Sequence, residues 1–282
     1  MPQRWAEEAR AVMSIPPKKS LGQNFLVDPH AAAMILDAAG LTKDDTVVEI
    51  GPGHGVLTGG LAERAGKVIA VELDGRLIAK LRRELAGRGN LEIVHADALK
   101  YPFDRLPGRV KVVANLPYYI STPIITKLVS ARSNISLMVL MLQKEVAERI
   151  SAPPGGKVYG YLSVMVQLHC EAETLFTVPA SSFDPAPKVE SAVLRLAVRE
   201  APAAKCRDYR LFERVVSAAF SQRRKTLANS LRSSGLFSPE GIARLKGSGI
   251  DPTRRAETLS VSEYAALTDF LADFLFEFPA VK

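Results

Sequence analysis

The sequence predicts an α/β fold, in which helices cover both faces of a parallel β-sheet and a small all-helical domain follows. Three observations lead to it: short β-branched runs alternate with helical patterns, a glycine-rich turn follows the first run, and strand patterns end after Leu196. Such alternation is typical of βαβ units. With 282 residues, of which 47% are hydrophobic and 24% charged, the chain has room for one large and one smaller domain.

Five β-branched runs are predicted to form the parallel sheet. They are Thr46–Ile50, Lys67–Val71, Leu91–Val94, Val110–Val113 and Ser136–Met141. The less regular segments Tyr161–His169 and Ser191–Leu196 are predicted to be two further strands. The proline-rich loop 178–188 would join them into an antiparallel hairpin at one edge of the sheet.

The domain boundary is predicted near residue 200, with residues 1–200 in the first domain and residues 201–282 in the second. The segment Glu200–Lys205, with the sequence EAPAAK, has the composition of a linker. Helical patterns fill most of the remaining chain. They cover Tyr209–Phe220, Arg224–Ser233, Pro239–Lys246 and Val261–Phe276.

Charge and cysteine content narrow the class of protein. A formal net charge of +7 and an isoelectric point near 9.4 favour a polyanionic partner such as nucleic acid. The stretch Met1–Arg10 is charged and no apolar run follows it, so we expect a cytoplasmic protein without a membrane partner. Cys170 and Cys206 lie far apart, without the spacing of a disulfide framework or a zinc site, and no metal is predicted.

A glycine-rich turn, Glu49–Gly55 with the sequence EIGPGHG, ends the first predicted strand and opens a helix. Glycines let a ligand approach the backbone, and N–H groups at a helix start face it. The spacing departs from the G-x-G-x-x-G pattern of dinucleotide-binding proteins, because Gly55 comes one position early. The turn predicts a ligand site, and a tight strand-to-helix connection is the alternative.

Two carboxylates follow at the ends of the next strands. Glu72 ends the second strand, where it can accept both hydroxyls of a ribose, and Asp97 follows the third, where it suits an adenine amino group. Either carboxylate could instead cap a helix or stay solvated on the surface. Together they predict an adenosine pocket at the carboxyl edge of the sheet.

The tetrapeptide Asn115–Tyr118, with the sequence NLPY, follows the fourth strand at the same edge. The lone pair of an adenine N6 amine is delocalised into the ring, so the amine attacks only when acceptors draw it toward tetrahedral geometry. Asn115 offers a side-chain carbonyl, and Leu116, extended before proline, offers its peptide carbonyl. Tyr118 offers an aromatic face for a flipped-out base. This predicts methyl transfer from a sulfonium donor by positioning, without a strong base; a proline turn with a packed tyrosine is the alternative.

These residues resemble the ribosomal RNA adenine N6,N6-dimethyltransferases that act on small-subunit RNA, and the resemblance covers nearly the whole chain. It rests on these motifs, in this order: Lys19–Leu26 (KSLGQNFL), Glu49–Gly55, Glu72, Asp97, Asn115–Tyr118 with Ile120–Pro123, Phe183–Ser191, Phe220–Leu227 (FSQRRKTL) and Arg255–Ser260 (RAETLS). The resemblance implies a Rossmann-like class I methyltransferase sheet, S-adenosylmethionine as the methyl donor and no metal.

The resemblance also implies roles for residues. Asn24 and Leu26 would close over the donor, Gly51 would contact its methionine part, Glu72 its ribose and Asp97 its adenine, while Asn115 would bridge donor and target amine. Phe183 would form the second wall of an adenine sandwich with Tyr118. The implied substrate is 16S ribosomal RNA in an immature 30S subunit, where two adjacent adenosines in a hairpin loop near the 3′ end are dimethylated. The protein would take part in small-subunit biogenesis and be monomeric when free.

Three positions depart from the family pattern. Tyr119 stands where asparagine is frequent, His54 replaces an apolar residue and Ala96 replaces a glycine. None removes a predicted ligand, but Tyr119 bears on the size of the target pocket and on the ease of the second methylation.

The run Gln222–Lys225 is predicted to head a helix whose apolar face carries Leu227 and Leu231. Cations at a helix N-terminus interact unfavourably with the helix dipole, so their placement there suggests a binding function. Arg223, Arg224 and Lys225 are therefore predicted to contact RNA phosphates. A solvated surface run is the alternative.

Three other functions stay open at this point. One is a related enzyme that dimethylates large-subunit RNA and confers macrolide resistance; the segment Arg255–Ser260 favours the small-subunit branch. The second is a catalytically silent ribosome assembly factor, which the intact Asn115 and Tyr118 disfavour. The third is a nicotinamide oxidoreductase, which the glycine spacing disfavours.

Overall fold

The computed structural model describes residues 15–18, 21–222 and 224–275. By its internal packing the chain divides into two units. Of the described residues, those up to Ala147 form one unit together with Glu171–Val198, and Glu148–Cys170 form the other together with those from Arg199 onward. The boundary predicted near residue 200 assigned residues 148–170 to the first domain, whereas the structure places them in the second unit.

The first unit is built on a seven-stranded sheet with the strand order β4-β3-β2-β5-β6-β9-β7, and β1 and β8 form a separate antiparallel pair. The strands are β1 Phe25–Leu26, β2 Thr46–Ile50, β3 Lys67–Glu72, β4 Leu91–His95, β5 Val110–Asn115, β6 Ile135–Gln143, β7 Cys170–Val178, β8 Phe183–Asp184 and β9 Ser191–Val198. Strands β2 to β6 pair in parallel, and β9 pairs antiparallel with β6. The predicted α/β class and its five parallel strands are confirmed.

Helices cover this sheet because its central strands are apolar on both sides. Val47 and Val48, neighbours in β2, point to opposite faces and are both fully buried. The helices that follow or precede these strands are α1 Pro29–Ala38, α2 Thr58–Arg64, α3 Gly75–Glu84, α4 Ser121–Ser130 and α5 Lys144–Ser151. Ile35 of α1 and Leu61 of α2 join Val47 in one apolar cluster, while α3 packs against β3 and β4. The carboxyl edge of the sheet is left for the connecting turns.

The predicted strand Tyr161–His169 is wrong, because Tyr161–Gln167 form a helix, α6. The N–H of Gly160 donates to the Ser163 hydroxyl at 2.9 Å, a bond that starts the helix. A short apolar run fits a buried strand and a buried helix equally well, so periodicity alone could not separate them. The strand beside β9 at the sheet edge is β7, which begins just after this helix.

The second unit is helical around its own apolar core, to which α6 contributes Val164. Its further helices are α7 Tyr209–Phe220, α8 Leu227–Ser233, α9 Pro239–Ala243 and α10 Val261–Leu271. Helix α7 has the predicted bounds, whereas α8 begins three residues later than predicted. Thr226 caps it, accepting from the Asn229 N–H at 3.4 Å. Among the described residues, no helix combines the length and the apolar content that crossing a bilayer requires.

Gly66 tests the close packing of the loop before β3 against the loop before β2. It precedes β3, its N–H donates to the Asp45 carbonyl at 3.0 Å, and a Cβ at this position would lie 2.0 Å from the Lys43 carbonyl oxygen. We expect Gly66→Ala to lower the free energy of unfolding by about 2 kcal/mol or more, because one backbone segment must move. Urea denaturation measures this.

Gly59→Ala is the matched control, since a Cβ at this position in α2 meets nothing within 4 Å. It should raise stability by up to about 1 kcal/mol, as alanine is the better helix former. Equal stability of the two variants would contradict the close packing at Gly66.

Candidate functional site

A cleft lies at the carboxyl edge of the first unit's sheet, where the turns after β2, β3, β4 and β5 meet. Its cavity volume is about 230 Å³, and its mouth is open to solvent. Most of the predicted site residues line it together: Asn24, Gly51, Glu72, Asp97, Asn115, Leu116 and Tyr118. Leu26 lines a smaller side pocket, which Gly51 and Asn115 border as well. The structure thus brings together residues from five separate segments of the chain.

The turn after β2 owes its shape to three glycines with left-handed backbone. Gly51, Gly53 and Gly55 have φ angles of 67°, 60° and 89°, which a residue with a Cβ rarely adopts. A Cβ at Gly53 would also lie 3.0 Å from the ring of Phe25. The N–H of Gly51 donates to the Val71 carbonyl at 2.9 Å and so ties the turn to β3. The approach of a ligand to this turn stays a prediction.

Glu72, the last residue of β3, is 6% exposed and accepts hydrogen bonds from three backbone N–H groups. Its Oε1 accepts from Leu73 and Asp74 at 2.8 Å each, and its Oε2 accepts from Gly53 at 3.2 Å. Burial raises the pKa of this carboxyl, and these three bonds partly offset the increase. The carboxylate therefore has a fixed orientation in the cleft wall, and of its four acceptor sites the one left for a ligand is on Oε2.

Asp97 follows β4 and shapes the turn that continues the cleft wall. Its Oδ1 accepts from the Leu99 N–H at 2.9 Å, and its carbonyl accepts from the N–H groups of Lys100 and Tyr101 at 2.9 Å each. Among the described residues, Oδ2 has no donor. One oxygen thus caps the turn, as the alternative interpretation expected, and the other is free to accept from a ligand in the cleft.

The NLPY turn presents two carbonyl oxygens without donors among the described residues. The Asn115 Nδ2 donates to the Asn24 carbonyl at 3.2 Å, which fixes the amide and leaves Oδ1 as a free acceptor. The Leu116 N–H donates to the Met141 carbonyl at 2.9 Å, while its own carbonyl accepts from none of these residues. The Pro117 carbonyl, by contrast, accepts from the Ile120 N–H and the Ser121 hydroxyl. Two acceptors are thus available at the start of the turn.

Tyr118 is half-buried in the same wall. Its hydroxyl lies 2.7 Å from the Ser191 hydroxyl, and burial raises the pKa of the phenol. This hydrogen bond fixes the ring at the cleft, as a stacking surface requires.

Phe183 does not reach the cleft. It lies in β8, pairs with Leu26 of β1, and is 3% exposed within the apolar cluster that also holds Ile35. Its ring therefore has no free face on which a base could stack. Of the two rings predicted to enclose the adenine, Tyr118 remains available and Phe183 does not. The core position followed from the pairing of β8 with β1, which the loop sequence did not indicate.

Two of the three predicted phosphate contacts, Arg224 and Lys225, belong to the second unit. Arg224 and Lys225 are exposed and form no ion pair with described residues, while Arg223 lies outside the described residues. Because α8 begins at Leu227, the two cations precede the Thr226 cap and do not lie within the first turn of the helix. The predicted conflict with the helix dipole is therefore weaker than the sequence suggested.

Glu49 is a site residue whose role the sequence did not reveal. It lies in β2 beside the side pocket, is 1% exposed, and its Oε2 has no hydrogen-bond partner among the described residues. Burial raises the pKa of this carboxyl to about 8, with a further contribution from the negative charge of Glu72 and an opposing one from Thr58. In the sequence, the one sign of this residue was a glutamate within an apolar run that predicts a buried strand.

We expect Glu49 to make the ligand-free protein less stable as the pH rises. The carboxyl ionises near 4.5 in the unfolded chain and near 8 in the folded one, so the folded state holds the extra proton between these values. Stability should therefore fall across this window, and the Glu49→Gln variant should lack that component. Urea denaturation between about pH 5 and about pH 8 measures the difference.

The exposed Glu200 supplies the control. Glu200→Gln should follow the unaltered protein across the pH range. If Glu49→Gln has the same pH slope as the unaltered protein, the assignment of the proton to Glu49 is wrong.

Known proteins match almost the whole chain. The family model described as ribosomal RNA adenine dimethylase matches residues 16–273. The chain is 50% identical over 273 residues to the ribosomal RNA small subunit methyltransferase A of Pelotomaculum thermopropionicum, covering 92% of each chain. It is 48% identical over 269 residues to the protein of that name from a Geobacillus species, again covering 92% of each.

Solved structures agree with this relationship. The dimethyladenosine transferase of Plasmodium falciparum superposes with a TM-score of 0.78 at 29% identity, covering 89% of this chain and 99% of that one. The 23S rRNA methyltransferase ErmE superposes with a TM-score of 0.70, also at 29% identity, covering 88% of this chain and 100% of that one. The predicted Rossmann-like methyltransferase sheet is confirmed, and the chain belongs to the ribosomal RNA adenine dimethylase family.

Proposed function

We propose that this protein transfers methyl groups from S-adenosylmethionine to the N6 amines of adenosines in small-subunit ribosomal RNA. The observation that carries the proposal is the pair of free acceptors in the NLPY turn, the Asn115 Oδ1 and the Leu116 carbonyl. They lie in one cleft with the carboxylates of Glu72 and Asp97. The carbonyl oxygens that would accept hydrogen bonds from the target amine and the carboxylates that would bind a nucleoside therefore line a single cavity.

The cleft suits a cationic nucleoside such as this donor. Two carboxylates and free carbonyl oxygens make the site rich in acceptors. Glu72 would hold the ribose, Asp97 the adenine amine and the Gly51 turn the methionine part. When bound, the donor supplies an electrophilic methyl group on a sulfonium.

The chain's own contribution is to hold the target amine. The Asn115 and Leu116 carbonyls would each accept one N–H of the amine, which withdraws the lone pair from the ring and aims it at the methyl group. No side chain need act as a strong base, because the nitrogen becomes acidic only after it gains the methyl and then releases its proton to water. Tyr118 would stack on the extruded adenine, a contact worth about 1–3 kcal/mol.

The choice of small-subunit RNA rests on the relatives. The two relatives named for the small subunit share 50% and 48% identity with this chain, against 29% for ErmE, which is named for 23S rRNA. The resemblance supports the finer assignments: two adjacent adenosines near the 3′ end of 16S RNA, an immature 30S subunit as substrate, a part in its maturation, a cytoplasmic location and a monomeric free protein.

We further propose that the two parts of the chain divide the work. The first unit would bind the donor and carry out the transfer, and the second would bind RNA. Arg224 and Lys225 support the second assignment, since both are exposed and neither is neutralised by a described acidic residue. Arg223 lies outside the described residues, and its assignment as a phosphate contact rests on the sequence pattern of the basic run. Phe183 is left out of the proposed base sandwich because its ring is buried.

Asn115→Ala tests the central assignment. We expect turnover to fall about a hundredfold or more, because one of two positioned acceptors is removed. The measurement is transfer of labelled methyl to immature small subunits and to large-subunit RNA, followed by nucleoside analysis.

Asn134→Ala is the matched control, because the Asn134 amide also donates to a carbonyl, that of Leu106 at 2.8 Å, but lies outside the cleft. It should retain full turnover. Retained turnover in Asn115→Ala, or methylation of a ring carbon or a ribose oxygen, would refute the proposed chemistry.

The RNA-binding surface predicts a change in salt dependence. Replacing Arg224 and Lys225 by glutamate should weaken RNA binding and reduce the slope of log Kd against log salt concentration by about 0.7–0.9 for each phosphate that the protein no longer neutralises. Filter binding at several salt concentrations measures the slope.

The same charge change on α7 is the control. Arg210→Glu with Arg214→Glu alters two exposed residues of that helix and should move the slope less. An equal change in both double variants would attribute the effect to net charge and remove Arg224 and Lys225 as specific contacts.

A further inference from the structure

The mouth of the cleft carries an apolar rim. Among the described large apolar side chains, Tyr119 is the most exposed at 56%, and Leu73 and Leu99 are 45% and 36% exposed. All three line the cleft, one from each turn that follows β3, β4 and β5. Exposed apolar groups that converge at the opening of one cavity indicate surface that a ligand covers.

The ring of Tyr119 packs on the segment ahead of β1, which also lines the cleft. A Cβ at Gly22 would lie 3.0 Å from the Tyr119 Cδ1, so ring and backbone are in contact, and Gly22 has the left-handed φ of 54°. No described residue bonds to the Tyr119 hydroxyl. One side of the ring is therefore fixed by packing alone, and most of the remaining surface is open.

The two leucines of the rim lie next to the two carboxylates of the cleft. Leu73 directly follows Glu72 and donates its N–H to that carboxylate, and Leu99 donates its N–H to Asp97. The polar groups suited to a ribose and an adenine amine thus each have an exposed leucine beside them. A nucleoside bound there would have its polar edges on the carboxylates and its apolar faces toward the rim.

We propose that Tyr119 is a positioning residue for the methyl donor, which closes over the donor's nucleoside part and sets the affinity of the cleft for it. This inference rests on the proposed donor site. The ring then belongs to the donor side of the cleft and does not narrow the space for the target amine. Tyr118, whose hydroxyl is bonded to Ser191, remains the surface for the target base.

A nucleotide of the RNA next to the target is the other occupant that an exposed aromatic ring could take. Two observations favour the donor. The ring rests on Gly22, and the same segment continues to Asn24, whose carbonyl accepts from Asn115 inside the cleft. Leu73 and Leu99, which line the same cleft as Tyr119, each adjoin a carboxylate that faces a nucleoside in the proposed site.

Titration calorimetry without RNA tests the inference. The probes are S-adenosylhomocysteine and 5′-methylthioadenosine, which lacks the amino-acid end. Tyr119→Ala should weaken binding of both by about tenfold, because no ring then packs on the nucleoside. Tyr119→Phe should bind both within about twofold of the unaltered protein, since the hydroxyl has no described partner. The KM for RNA at saturating donor should not change in either variant.

Tyr209→Ala, which removes an exposed tyrosine of the second unit, is the control and should bind both probes normally. If Tyr119→Ala binds both probes as the unaltered protein does and its KM for RNA rises, the ring serves an RNA base and the inference is overturned. If the unaltered protein binds neither probe, the proposed donor site fails and the inference falls with it.

Discussion

The carboxylate of Glu72 joins the turn after β2 to the turn after β3. It accepts one N–H from the glycine turn after β2 and two from the turn after β3, so the start of the cleft has a single geometry. Parallel pairing of β2, β3, β4 and β5 then sets the remaining turns at the same edge. Burying this charge is unfavourable, and the three N–H bonds offset part of that penalty. The other contacts of the cleft are built on this arrangement.

Much of the fold could be predicted from the sequence because strong local signals agreed with tertiary packing. The parallel strands are β-branched and buried on both faces, and α7 has clear amphipathic spacing with an Asp208 cap. Tyr161–Gln167 were misread because a seven-residue apolar run carries no decisive period. The assignment of residues 148–170 to the second unit depends on contacts distant in sequence, which no local pattern records.

The candidate site likewise contains features that could be predicted from the sequence and features that could not. Asp97 and Asn115 could be predicted because strand ends of a parallel sheet converge, so their position along the chain implies their place in space. The burial of Phe183 could not, since it depends on the pairing of two short strands far apart in sequence. The unpartnered oxygen of Glu49 likewise emerges only from the arrangement around it. Features that depend on one strand were predictable, and features that depend on the pairing of distant loops were not.

The hydrogen bond from the Asn115 amide to the Asn24 carbonyl links the segment over the cleft to the residue that orients the amine. Because this bond holds the amide nitrogen of Asn115, the carbonyl oxygen of the same side chain keeps its orientation only while residue 24 keeps its position. The acceptor in the proposed site is therefore set jointly by two segments that lie 91 residues apart in the sequence.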